Sequence, residues 1–510
     1  MKRLLTILLC AVLVISVFSA CGETVPEESS GTDVTSSGTS MKAAEILSEL
    51  VTVHSFEEFE PCDHSGKKLL SDSYTYTVHP DSTGEINTIS IRSYRVLNKG
   101  CLARLDLDSV FGNTVKEDES LIIGRCLFND ESKALMPLCF DVTCDHRRND
   151  CFSIATAAAD KADMCYVFSD NIVSVDRGRG ELFVTYYAFD GTVVNEFVFD
   201  MKTLPLPQGI ECENFYMGGR TSCRYGDKLY VDVASYNSLD ELAFETDPSV
   251  GERLFHWILC VDVPTGDIHP VARFWVSHPY ESGVDFLDCD GERIACSFDG
   301  LTLYITDLTT GVTESVDIDA LVSRVIRENP ALSGGVMYDL DPLKGILTLR
   351  YGDGTHNRKY VDLETFEQVE LSRAEILALG NSWVVFHEGE TYYLELDHTE
   401  DPVYELINAE TGEVISGNFG GKAALLREGE VDCGFTGIYV SNSGVIFGLN
   451  IKTMHGLETV TNTEVRVANG VEVFYRTPIR YVYYELSDLV DGGDATPWVL
   501  NPETGVFEKQ

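Results

Sequence analysis

Apolar and polar residues alternate along most of this chain, and stretches with helical spacing are few. From Tyr74 to Val78 every second side chain falls on one face, Ile89 and Ile91 resume the alternation, and His79 to Gly84 between them are turn formers. That pattern predicts a β-hairpin. From Ser40 to Val53 the spacing changes. Apolar residues at 43, 46, 47 and 50 share one side of a helix that Ser40 would cap, which predicts about three turns.

Beyond residue 165 one phrase recurs: Asp or Asn, two further residues, then Thr and often Gly, with an apolar residue before most copies. Copies begin at Asp200, Asp262, Asp307, Asp362, Asn408, Asn450 and Asn501, so successive copies lie 42 to 62 residues apart. The chemistry suits a hairpin turn after a buried strand. An Asp or Asn side chain accepts backbone hydrogen bonds from residues just beyond it, and Gly supplies the positive φ that sends the chain back. Repeats of roughly 40 to 50 residues with several strands each are the mark of β-propeller blades. The expected fold is therefore all-β, a β-propeller of seven blades, with six to eight within the same reading. Strands between residues 74 and 138 would supply an eighth blade or close the last one. Two packed β-sandwiches are the alternative, and they need no regular turn phrase.

The N-terminus changes the picture from a fold to a location. MKRLLTILLCAVLVISVFSA opens with two basic residues, continues with an apolar run from Leu4 to Phe18 and ends in small residues, the layout of a secretory signal. Cys21 follows at once. Residues 22–40, GETVPEESSGTDVTSSGTS, hold no aromatic side chain to bury and predict a disordered tether reaching roughly 20 to 25 Å. The expected organisation is a signal peptide at 1–20, a lipidated Cys21 with its tether at 21–40, an N-terminal segment with hairpin strands and a Cys/His element at 41–151, and the propeller at 152–510. Such a protein is held on the extracytoplasmic face of the cell membrane by its lipid anchor.

Charge narrows the partners. With 82 acidic against 38 basic residues the chain carries a net charge of −44, which disfavours nucleic acid. The stretch Asp288-Cys289-Asp290-Gly291 has its glycine too early for a calcium loop and predicts a hairpin turn.

Of fifteen cysteines, seven fall between residues 62 and 165. Cys139, Cys144, His146 and Cys151 form a CX4CXHX4C element. Three thiolates and an imidazole at that spacing suit a closed tetrahedral Zn²⁺ shell, a structural site with no open position for substrate. Arg147 and Arg148 would favour the thiolate forms. In an exported protein the same residues also suit a disulfide, with Cys126 or Cys165 as outside partner, or reduced thiols. Cys62-Asp63-His64 repeats the tripeptide Cys144-Asp145-His146 and suits half of a second site, but a chance match or a simple turn is the preferred reading.

The tether, the repeats and the phrase Met136-Pro-Leu-Cys139 through Cys151 resemble a group of poorly characterised surface lipoproteins of Gram-positive, clostridial-type bacteria. Phe18-Ser19-Ala20-Cys21-Gly22 resembles the lipobox of bacterial lipoproteins, with Phe18 where an aliphatic residue is usual. Val142-Thr143 stands where the group has Asp-Pro. The resemblance implies a propeller and a lipid anchor, and it implies no activity.

Signatures of nucleophilic and cofactor enzymes are missing from the sequence. There is no GxSxG or P-loop, and His387-Glu388-Gly-Glu-Thr391 fails HExxH at its last position. Trp257, Trp275, Trp383 and Trp498 are expected to pack between strands. The expected function is non-enzymatic: binding of a protein or glycan ligand by the propeller, with the Cys/His element as a fastener. The alternative is an exported hydrolase or lyase acting on glycan or peptide from the pore face.

Overall fold

A computed structural model of the chain describes residues 46–54, 61–62, 75–78, 87–91, 102–106, 123–139, 141, 143–144, 151, 165–168, 171–177, 180–188, 192–206, 214–236, 254–276, 286–297, 302–334, 337–351, 357–379, 383–396, 404–419, 430–441, 443–453, 464–468, 471–475, 479–491, 495–501 and 504–510. The expected signal peptide, Cys21 and the tether lie outside these residues. Among the described residues no helix is long and apolar enough to cross a membrane.

Strands β1 (Val51–His54), β2 (Pro61–Cys62), β3 (Thr75–Val78), β4 (Asn87–Ile91), β5 (Leu102–Asp106), β6 (Ile123–Asn129) and β7 (Ala134–Pro137) come first and are distributed among later sheets. Five antiparallel meanders of four consecutive strands follow. The first is β8 (Cys165–Val167), β9 (Ile172–Arg177), β10 (Glu181–Tyr187) and β11 (Val193–Asp200). The second is β12 (Asn214–Tyr225), β13 (Lys228–Tyr236), β14 (Leu254–Asp262) and β15 (Asp267–Val276). The third is β16 (Phe286–Cys289), β17 (Arg293–Ser297), β18 (Thr302–Asp307) and β19 (Thr313–Asp317). The fourth is β20 (Met337–Asp341), β21 (Ile346–Arg350), β22 (Arg358–Asp362) and β23 (Glu367–Val369), and the fifth is β24 (Trp383–His387), β25 (Glu390–Leu396), β26 (Tyr404–Asn408) and β27 (Val414–Phe419). Then come β28 (Glu430–Val440), β29 (Gly444–Thr453), the hairpin β30 (Glu464–Ala468) and β31 (Val471–Tyr475), β32 (Ile479–Glu485), β33 (Trp498–Asn501) and β34 (Val506–Lys509). Four-stranded antiparallel meanders are the units of a propeller. The all-β, propeller-like expectation holds, but five such meanders are described where the turn phrase predicted seven blades.

The phrase does not map one to one onto meanders, since none of its copies lies between strands of β8–β11 and the Asn501 copy joins β33 to β34 of another sheet. Five of its seven copies are turns between paired strands, at Asp262, Asp307, Asp362, Asn408 and Asn501. In the first four the side-chain oxygen accepts the backbone N–H of the Thr three residues on, at 2.7 to 3.1 Å. In all five the amide four residues on donates to the backbone carbonyl of the Asp or Asn. That fourth residue has φ of +70 to +72° when it is Gly266, Gly311, Gly412 or Gly505, and +58° when it is Phe366. Phe366 bears the left-handed conformation because its ring is buried in a core cluster and Asn329 Nδ2 donates to its carbonyl at 2.7 Å. The remaining two copies do other work. Asp200 caps a 3₁₀ turn, accepting from the Lys202 amide, and Asn450 to Thr453 continue β29. A three-residue signature cannot tell a hairpin from a cap when both use the same side-chain hydrogen bond.

The chain divides into two compact units, residues 1–95 with 200–371, and residues 96–199 with 372–510. In the first unit β1 adds antiparallel to β19 and β2 adds parallel to β15. The predicted hairpin is present as β3–β4, with Tyr76 opposite Ile89, and β4 lies parallel to β20. The predicted N-terminal helix is described only over 46–50, because the chain turns to strand at Val51. Residues 40–45 lie outside the described set. Helix α1 (Ile318–Glu328) is capped by Asp317, which accepts from the Ala320 amide at 2.9 Å, and buries Ile318, Leu321, Val322 and Val325.

In the second unit the C-terminal strand joins the early chain. One sheet runs β28-β29-β32-β33-β34-β7-β6-β5. The Leu135 amide donates to Gly505 O and the Phe507 amide to Lys133 O, both at 2.8 Å. Phe128, Leu135, Ile446, Tyr481, Tyr483 and Phe507 form the apolar cluster of this junction.

Candidate metal centre

The candidate residues leave the end of β7. Pro137 donates no backbone hydrogen bond, so the strand stops there, and the Cys139 amide folds back to the Pro137 carbonyl at 2.7 Å. Asp141 builds the next turn. Its Oδ1 accepts from the Thr143 amide at 2.9 Å and from the Thr143 hydroxyl at 2.6 Å, and the Cys144 amide donates to Asp141 O at 3.0 Å. The turn returns Cys144 toward Cys139. Cys151 is buried within the junction cluster, and Cys139 and Cys144, half-buried, pack at its border.

The sulfurs of Cys139, Cys144 and Cys151 all lie within 4.8 Å of one another. Thiolates bound to one tetrahedral zinc at about 2.3 Å stand about 3.8 Å apart. A contraction of an ångström or less would therefore seat an ion. His146 lies outside the described residues, as do Arg147 and Arg148. Of the tripeptide at 62–64, only the backbone of Cys62 is described, paired in β2 with Val276.

Cys126 and Cys165, the alternative disulfide partners, take other places. Cys126 is fully buried in the same apolar cluster but outside the sulfur triad, and burial pushes its thiol up to about 12. Cys165 packs with Leu138, Val167 and Ile172. Among the described residues no two of these five cysteines are joined in a disulfide.

At the other end of β7 from Cys139, in the turn that precedes the strand, lies a polar network that the sequence pattern does not reveal. Lys133 Nζ reaches Ser443 Oγ, Tyr483 Oη and Glu485 Oε1, each at 3.1 Å. Ser443 Oγ donates to Asp130 at 2.5 Å, and Tyr483 Oη donates to the Ser443 carbonyl at 3.0 Å. Burial alone would push the Lys133 ammonium down, but hydrogen bonds with Tyr483 and Glu485 outweigh it and hold the group above its ordinary value. Lys133 sits at φ +51°, the place Gly occupies in the other turns. Its turn is a degenerate copy of the phrase, Asn129-Asp-Glu-Ser132, in which Asn129 Oδ1 accepts from the Ser132 amide at 2.9 Å and the Ser132 hydroxyl at 3.0 Å. Ser in place of Thr and Lys in place of Gly hid it. Gly444 is required here for space, since a Cβ would stand 2.1 Å from the Tyr483 ring.

No known protein-family profile matches the chain, and no curated protein is significantly similar to it. Solved structures give distant likenesses only. Sqt1 of Saccharomyces cerevisiae aligns at 11% identity over 81% of this chain and all of its own, with a TM-score of 0.27. An ACO/RPE65 chimera aligns at 10% identity over 68% of this chain and 93% of its own, with a TM-score of 0.23. An uncharacterized protein of Listeria monocytogenes EGD-e aligns at 9% identity over 64% and 86%, with a TM-score of 0.22. At these values the likenesses say nothing of shared chemistry.

Proposed function

We propose that this chain is a lipid-anchored extracytoplasmic protein whose propeller-like domain binds a protein or glycan ligand without catalysis, and that Cys139, Cys144 and Cys151, with His146 as fourth donor, hold a structural zinc ion. The observation that carries the metal reading is the mutual approach of the three sulfurs beside the sheet where early and C-terminal strands meet. Four protein donors close a tetrahedral shell, so zinc there would fasten the chain rather than activate water. The N-terminal layout supports anchoring at Cys21. The test is metal analysis of the native protein. About one equivalent of zinc per chain, lost in Cys144→Ser, supports the site. Protein free of zinc, with Cys139, Cys144 or Cys151 recovered in a disulfide, overturns it.

The hydrolase alternative has one observation on its side, the contact of Ser443 with Lys133 and Tyr483. A serine nucleophile needs a neighbouring group able to take its proton; an ammonium held above its ordinary value cannot do so, and the Asp130 carboxylate that accepts from Ser443 is a weaker base than the imidazole such sites usually employ. The Ser443 and Gly444 amides donate to Ser441 Oγ at 3.2 and 2.9 Å, which occupies the donors an oxyanion hole would need. The network serves the fold. Failure of wild-type protein to react with a fluorophosphonate probe is the expected result.

A further inference from the structure

Four cysteines of the first unit, Cys223, Cys260, Cys289 and Cys296, are brought to one apolar interface between the second and third meanders. Cys223, Tyr230 and Cys260 stand in register on β12, β13 and β14. Cys289 on β16 and Cys296 on β17 belong to the facing sheet. The first strands of the two meanders, β12 and β16, lie against each other. Their alignment is visible at Gly291, where a Cβ would stand 2.3 Å from the Tyr225 ring. Cys223 precedes Tyr225 by two residues and Cys289 precedes Gly291 by two, so the two thiols are carried to the same level.

We propose that Cys223 and Cys289 are a redox pair that closes to a disulfide between the two sheets. Both pairings within a single sheet fit less well. Cys223 and Cys260 are separated by a whole strand, about 9.5 Å, beyond the roughly 7 Å that a disulfide spans between Cα atoms. Cys289 and Cys296 are offset in register, Cys289 opposite Ile294 and Cys296 opposite Leu287. Cys223 is half-buried as a residue, whereas Cys289 is buried. Two donors serve the Cys289 sulfur: the Gly291 amide at 3.3 Å and the Tyr230 hydroxyl.

The oxidant is a low-molecular-weight disulfide. Cys223 gives up its proton and attacks one sulfur of that disulfide; the small S–S bond breaks, a mixed disulfide forms and one small thiol leaves with a proton. Cys289 then gives up its proton and attacks the Cys223 sulfur, and the second small thiol leaves with a proton. Two protein thiols are oxidised and one small disulfide is reduced to two thiols. Burial, with Cys289 next among the causes, holds Cys223 protonated, and burial pushes Cys289 up to about 11. Closure is therefore slow at neutral pH and rises close to tenfold for each pH unit while the attacking thiol stays mostly protonated.

The experiment is incubation of the native full chain with oxidised glutathione at two alkaline pH values, alkylation of remaining thiols and peptide mapping without reduction. The expected product is one cross-linked peptide joining Cys223 to Cys289, two hydrogens lighter than the separate peptides, forming about tenfold faster one pH unit higher. Cys260→Ser should leave the link intact, and Cys289→Ser should leave Cys223 carrying glutathione. Recovery of both residues as alkylated thiols after long exposure overturns the proposal, as does a dominant link to Cys260 or Cys296. The wild-type cross-link decides the matter even if a variant fails to fold.

Discussion

The two cysteine groups are assembled by opposite means. Cys139, Cys144 and Cys151 come from thirteen consecutive residues, and the Asp141 turn folds Cys144 back toward Cys139 before any distant strand is needed. Cys223, Cys260, Cys289 and Cys296 come from four strands of two meanders and meet only when those sheets pack. The first group sits at the border of an apolar cluster, where thiolates can be neutralised by a cation. In the second, burial keeps Cys223, Cys260 and Cys289 as thiols. The contrast teaches that sulfur spacing along a chain reports ligand chemistry only where a turn, rather than a sheet interface, sets the distance.

The widest break between the groups is expected from Cys151→Ser. Zinc content should fall from about one equivalent to background, with a loss on the order of 5 kcal/mol in unfolding free energy, because binding energy of a structural metal is folding energy. Cys260→Ser, a matched change in the other group, should leave metal content unchanged; inductively coupled plasma analysis of both proteins separates the two.

Lys133→Ala tests whether long-range polar contacts hold the sheet junction from which the first group departs. It removes three charge-assisted contacts and keeps the unfavourable φ, so a loss of about 2–3 kcal/mol is expected in urea unfolding. Lys133→Gly should cost about 1 kcal/mol less, since glycine relieves the left-handed strain. The sign of the pH effect follows from the raised Lys133 value. Its contribution is fully present below the ordinary lysine pKa of about 10.4 and is lost as pH rises through the folded value. The wild type and Lys133→Ala should therefore converge in stability at strongly alkaline pH.

Asp141→Ala should weaken zinc binding about tenfold without abolishing it, because Asp141 shapes the turn and ligates nothing. Competition with a chromophoric chelator reads this directly; unchanged affinity would mean that the turn is set elsewhere. The smallest effect belongs to Glu314, on β19 of the meander that carries Cys289. Burial raises its carboxyl above the ordinary value, so ionisation opposes folding at neutral pH. Glu314→Gln should stabilise the protein at pH 7, and the gain should fade as pH falls below the carboxylate range.

What could be read from the sequence divides along the same line as the cysteines. The hairpin at 75–91 was legible because alternation and turn residues are adjacent. The hydrogen-bonded turns at Asp262, Asp307, Asp362 and Asn408 were legible because one side chain organises each. Blade number was not, since Asp200 uses the same chemistry to cap a 3₁₀ turn. Helix α1 carried apolar residues at 318, 321, 322 and 325 after a capping Asp, a pattern overlooked amid so many strands. Lys133, Ser443 and Tyr483 are more than three hundred residues apart at the extremes, and no local rule connects them. His146 remains part of the proposal on its spacing alone.

The early strands set a schedule for synthesis. Val51 pairs with Val316, Thr88 with Met337 and Ala134 with Val506. A ribosome adding about 5–20 residues per second needs roughly 10 to 70 s to make the second member of such a pair after the first. For that interval β1 lacks its sheet, and the β3–β4 hairpin and the β5–β6–β7 meander each keep an edge open. The part made first is then among the last to reach its final sheets.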